Sequence, residues 1–164
     1  MSTLVVLDTG VLGMVVHPSN AGEPLECKKW LESVLRLGLI VHVPEIADYE
    51  LRRELVRINS ATSITRLDAL KTSLIYTPIT TQAMLKAAEL WANVRNSGTA
   101  TADDKALDGD VILAAQSHML PNAGDQVIVA TTNVGHLGLL TDARRWHDIP
   151  TPRSVQPPPA AGAV

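Results

Sequence analysis

The chain has 164 residues, 46% hydrophobic and 19% charged, with a net charge of −3. That length supports one domain with a real core, and no overall positive field draws in a nucleic acid, so such a ligand would need a local basic patch. Aromatics at 3% with no Phe argue against a broad stacking platform for unpaired bases, and the single cysteine, Cys27, excludes an internal disulfide and a cysteine-built zinc site.

Residues 4–7 are a short apolar run rich in β-branched side chains, closed by Asp8-Thr9-Gly10, and read as a buried parallel strand. The start of the chain lacks the basic opening and longer apolar stretch of a signal peptide, and no apolar run approaches a membrane span, so the expectation is a cytoplasmic protein. Residues 24–37 have helical spacing, with Cys27, Trp30, Leu31, Val34 and Leu35 on one face and Gly38 placed to end the helix. Residues 39–43 form a second buried strand. Pro44 follows, then a long helix on which Leu51, Leu55 and Ile58 share a face. Thr62 or Ser63 is placed to cap another helix, through about Ser73, and residues 74–77 are the third strand. Thr80 or Thr81 can cap the helix carrying Leu85, Ala88, Trp91 and Ala92.

Residues 97–107 read as a polar connection, and Asp108-Gly109-Asp110 as the opening of a helix to about Met119. Residues 127–130 are the fourth strand, 131–136 a loop, and a short fifth strand near 146–149 finishes the sheet. From Pro150 the chain holds five of its ten prolines among small residues. The pattern predicts an α/β fold: a three-layer α/β/α sandwich with a central parallel sheet of four to five strands. One domain spans 1–149, and 150–164 is a mobile Pro/Ala-rich C-terminal tail.

In such sheets ligands bind at the carboxyl ends of the strands. Asp8 follows strand one, Glu45 and Glu50 lie on the helix after strand two, Asp108 and Asp110 precede strand four, and Asn133 and His136 follow it. Clustered carboxylates raise one another's pKa and resist ionisation. A hard cation such as Mg²⁺ or Mn²⁺ offsets that, and it can activate water against a phosphodiester.

Four segments then resemble a known family in its order. LVVLDTGVLG resembles the opening strand of PIN domains, and VPEIADYELRREL their second segment, whose acid is Glu50 here. DVILAAQ resembles the third and selects Asp110, and VIVATTNVGHL the fourth and selects Asn133. The match spans about residues 3–149, and the size and ending look most like VapC-type toxins of toxin–antitoxin pairs. The resemblance implies a PIN-like fold and an endoribonuclease that cuts single-stranded or loop RNA with Mg²⁺ or Mn²⁺. It also implies an antitoxin partner and a homodimer. Asp8 and Asp110 would be direct metal ligands, Glu50 would hold the ion or its water, and Asp108 would act through water. The sequence departs from the family at Gly10, where Asn is common, and at His136, where an acid is common.

Plainer roles stand beside these. Asp8 can bind local amides at a strand end. Asp108 can be a helix N-cap and Asp110 a first-turn acid. Glu50, Glu54, Arg53 and Arg57 can form a solvated face. Thr9 orients Asp8 or phosphate, or is a turn residue. His136 contacts phosphate or caps a loop. Arg53, Arg57 and Arg52 contact RNA phosphates or make surface pairs, and Arg144 and Arg145 are a second basic spot. Two other readings remain. Phosphoryl-transfer enzymes of the dehalogenase or receiver type lack their second aspartate here. A catalytically inactive PIN-like module would bind RNA or protein without cutting.

Overall fold

The computed structural model describes residues 1–98 and 103–150. In chain order the elements are β1 (Thr3–Leu7), α1 (Thr9–Val16), α2 (Gly22–Arg36), β2 (Ile40–Pro44), α3 (Glu45–Arg57), α4 (Ala61–Ser73), β3 (Ile75–Thr77), α5 (Thr81–Asn96), α6 (Asp104–His118), β4 (Gln126–Thr131) and β5 (Ala143–Arg145). Two 3-10 turns, Gly135–Leu139 and Trp146–Asp148, flank β5.

The five strands form one parallel sheet in the order β3-β2-β1-β4-β5. The chain builds outward from β1 through β2 to β3, then crosses back to lay β4 on the other side of β1. The direction reverses between β1 and β4, and at such a switch point the loops diverge and leave a crevice.

Alternation along each strand explains why β1 is apolar throughout. Val5 and Leu7 share one face with Val41, Val43, Ile128 and Ala130, packed on core residues of α1 to α4. Val6 and Val129 share the other, against Leu113 of α6 and Ile46 of α3. A separate cluster joins α5 to α6 through Ala83, Ala87, Leu107, Val111 and Ala115. This is the three-layer α/β/α sandwich expected, with five strands. Among the described residues no helix is long and apolar enough to cross a membrane.

Several local expectations are corrected. Helix α1 was not anticipated, because its two glycines and three valines in eight residues are poor helix formers. It forms because Asp8 caps it and Val11, Leu12 and Val16 are buried. Leu35 is 42% exposed and Ile58 53%, so neither belongs to its helix's core face. The N-cap position of α4 is Ser60, not Thr62 or Ser63, and Ser63 is buried inside the helix. Thr80 does cap α5, accepting the Ala83 N–H at 3.1 Å. The face of α5 that meets α6 is alanine-rich, which lets the helices approach, and Leu85 stays outside at 64% exposure.

Helix α6 begins at Asp104, four residues before Asp108, so Asp108 is not its N-cap, and Asp110 lies beyond the first turn. Fully buried Leu107 explains the early start, since it joins the α5 contact only from within a helical turn. Strand β5 is Ala143–Arg145, paired with Val129, Ala130 and Thr131. Residues 146–149, expected as the strand, instead turn Trp146 onto Trp30, ring centroids 5.8 Å apart. The expected tail, from 151 onward, lies outside the described residues, as does part of the 97–107 connection.

Candidate functional site

Asp8 is the first residue after β1 and the N-cap of α1. Its Oδ1 accepts the Thr9 N–H at 2.7 Å, and its Oδ2 accepts the Thr131 hydroxyl at 2.6 Å. Thr131 ends β4 and is fully buried. Its Oγ1 also accepts the Asn133 N–H at 3.2 Å. One carboxylate is thus oriented by the two central strands at the switch point. Thr131 was not singled out as a site residue from the sequence. The only signal was its place in the strand-Thr-x-Asn segment.

Glu50 lies in the second turn of α3, with its side chain 27% exposed. Its Oε1 accepts the Thr9 hydroxyl at 3.1 Å, so Thr9 ties Asp8 through its backbone and Glu50 through its side chain. Arg53 stands 3.8 Å from Glu50 Oε2.

Asp110 comes from the opposite layer, on α6. Burial lifts its pKa from 3.8 to about 6, the Asp8 and Glu50 carboxylates push in the same direction, and His136 pulls back. Gly109 makes this approach possible: a Cβ there would stand 2.9 Å from Glu50 Oε2. Acids from β1, α3 and α6 therefore meet at the carboxyl edge of the sheet, where the Asp8 and Glu50 charges oppose the ionisation of Asp110.

The donor chemistry suits a hard divalent cation, which takes oxygen ligands. Among the described residues, however, no three His, Cys, Asp or Glu side chains form a ready ligand cage. Asp8 and Glu50 direct oxygens to hydroxyl and amide donors instead. That arrangement suits an ion that keeps several waters and borrows one or two carboxylates.

The remaining candidates divide. His136, half-buried in the turn after β4, acts electrostatically on Asp110. Asn133 is exposed, with its side chain beside Gly135. Asp108 is not gathered with the three acids. It lies about 200° around the helix from Asp110 and lines a groove of about 400 Å³ with Met84, Ala87, Trp91 and Val111. Arg57 is paired with Glu54, and Arg52 with Asp48 and Asp68. Glu45 accepts the Ile79 N–H, and Arg144 pairs with Asp142. At Gly10 the space for a side chain is taken: an added Cβ would lie 2.8 Å from Thr132 Oγ1.

No family model matches the chain, and no curated protein does. Solved structures do. A chain of VapBC2 from Rickettsia felis, bound to a DNA fragment from their promoter, superposes with a TM-score of 0.67 at 13% identity, over 87% of this chain and 98% of that one. This chain has the same fold. DNA-bound VapBC from Salmonella typhimurium gives 0.60 at 16% identity, over 89% and 99%. VapBC-1 from nontypeable Haemophilus influenzae gives 0.59 at 15%, over 88% and 98%. At these identities the likeness is one of architecture, the PIN-like sandwich, and leaves the chemistry to the residues themselves.

Proposed function

We propose that the chain is a divalent-metal-dependent endoribonuclease that hydrolyses RNA phosphodiester bonds, acting as the toxin of a toxin–antitoxin pair. The observation that carries this is the meeting of Asp8, Glu50 and Asp110 at the switch point, with Asp110 lifted to about 6 by burial and by the other two acids. The fold shared with VapBC complexes supports the toxin reading and, with it, an antitoxin protein as partner. A homodimer and a cytoplasmic location belong to the same proposal.

Asp8 and Asp110 would hold Mg²⁺ or Mn²⁺, with Glu50 holding the ion or its water. When bound, such an ion supplies an activated water and charge stabilisation at the leaving oxygen. The chain's own groups do the positioning. Thr131 and the Thr9 amide fix the Asp8 carboxylate, and the Thr9 hydroxyl fixes Glu50. Arg53, beside Glu50, brings positive charge next to the acids, and with the His136 imidazole, beside Asp110, would face the substrate phosphate. Arg57, one turn beyond Arg53, extends that cationic side along α3.

The test is purified protein with labelled RNA, with and without Mn²⁺, beside Asp8→Asn. Cleavage that needs the metal and disappears in the variant supports the enzyme. A second reading, an inactive PIN-like module binding RNA or protein, is favoured by the departures from the family pattern at Gly10 and His136. RNA binding without cleavage, unaltered by metal or by the variant, would establish that reading instead.

A further inference from the structure

Five residues of the chain are aromatic. Trp30 and Trp146 are buried against each other, and Tyr76 and Trp91 are half-buried. Tyr49 alone stands in the open, 56% exposed. It directly precedes Glu50 on α3, a helix anchored in the core by Leu51 and Leu55. Arg53 connects the two: its guanidinium lies 5.2 Å from the Tyr49 ring centroid and 3.8 Å from the Glu50 carboxylate. The Arg53 side chain is itself 59% exposed and holds Glu50 only loosely, so donors remain for an anion.

A ring face with a guanidinium beside it complements a nucleobase joined to a phosphate. The base stacks on the ring, whatever its identity, and the planar fork takes phosphate oxygens. We infer that Tyr49 and Arg53 form a subsite for one unpaired nucleobase and its phosphate, next to the bond cut at the carboxylates. The inference rests on the ribonuclease reading of that site and assigns the residues that would grip its single-stranded substrate by one accessible base. A duplex keeps its base faces stacked inside and offers none. The scarcity of aromatics excludes a platform of several rings, but one ring serves one base.

The test is fluorescence anisotropy in chelator with a labelled single-stranded oligoribonucleotide and with the same strand in a duplex. The single strand binds more tightly than the duplex. Tyr49→Ala weakens single-strand binding about tenfold, Tyr49→Phe retains it, and Arg53→Gln lowers its salt dependence. Melting temperatures stay at the parent value, since neither side chain is buried. With Mn²⁺, Tyr49→Ala raises KM and leaves kcat nearly unchanged. A parent that binds no single strand, a duplex bound equally well, or Tyr49→Ala binding like the parent overturns the subsite. So does a dimer that Tyr49→Ala splits in sedimentation without touching RNA binding, which assigns this face to a second copy. Cleavage indifferent to Tyr49 sinks the subsite and spares the ribonuclease. Tyr49-dependent binding with no cleavage under any metal does the reverse.

Discussion

Asp48 and Glu50 sit two residues apart on α3 and have opposite electrostatic surroundings. Asp48 is 6% exposed and fully compensated. Arg52 donates to its Oδ1 at 2.9 and 3.1 Å, Lys71 to its Oδ2 at 2.8 Å, and Arg52 also reaches Asp68 at 2.7 Å. That network fastens α3 to α4. Glu50 faces the other way, toward Asp8 and Asp110, where the Arg53 guanidinium stands loosely beside it and the His136 imidazole lies near Asp110. The fold can neutralise a buried acid, and does so at Asp48. At the carboxyl edge of the sheet no such ion-pair network surrounds the three acids among the described residues, and under the proposed function that negative charge is what a bound cation would offset.

The sharpest break in this contrast is catalytic. Asp8→Asn or Asp110→Asn should reduce cleavage of labelled RNA to background, while the unfolding midpoint of Asp110→Asn holds or rises because a repulsion is removed. Asp48→Ala should do the opposite. It leaves Lys71 without its carboxylate and Arg52 with Asp68 alone, and should cost about 2 kcal/mol in a urea titration, with cleavage falling only as the folded fraction falls. Equal stability losses at both positions would erase the distinction.

A further effect comes from loading the site. Mn²⁺ at about a hundred times its dissociation constant should stabilise the parent by about 2.7 kcal/mol, read as a higher melting temperature, and should leave Asp8→Asn nearly unmoved. An effect of comparable size is in the pH profile. The Asp110 carboxyl binds its proton more tightly folded than unfolded, so its influence on stability turns unfavourable as pH rises from 3.8 to about 6, and stays so above. The difference in melting temperature between Asp110→Asn and the parent should therefore widen across that interval and then level off. A flat difference would show that neither burial nor the neighbouring acids raise the Asp110 pKa.

Much of this was legible in the chain. Strand β1 is continuously apolar because both of its faces are covered, and that identified a parallel sheet and placed Asp8 at its carboxyl edge. The order of strands and helices put Glu50 and Asp110 at the same edge, and the resemblance of their segments to a known family singled them out. Other features were hidden for physical reasons. The glycines of α1 look like helix breakers and the Asp-Gly-Asp of α6 like a helix start, yet both stretches lie inside helices, and Gly109 leaves room for the Glu50 carboxylate. The alanine face of α5 carries less hydrophobicity than Leu85, yet packs better. Asp48, Glu50, Arg52 and Arg53 present the same charge pattern in one dimension. Only the neighbouring helix, with Lys71 and Asp68, decides which pair is structural.

The close fit between Gly10 and Thr132 has a consequence for how this chain can change over generations. A bulkier residue entering at position 10 meets an occupied space, whereas the same residue entering after Thr132 has shrunk to Ala or Gly finds room. The two orders of substitution are therefore unequal. An asparagine introduced at position 10 should be better tolerated in a Thr132→Ala background than alone, so a laboratory attempt should include the double variant.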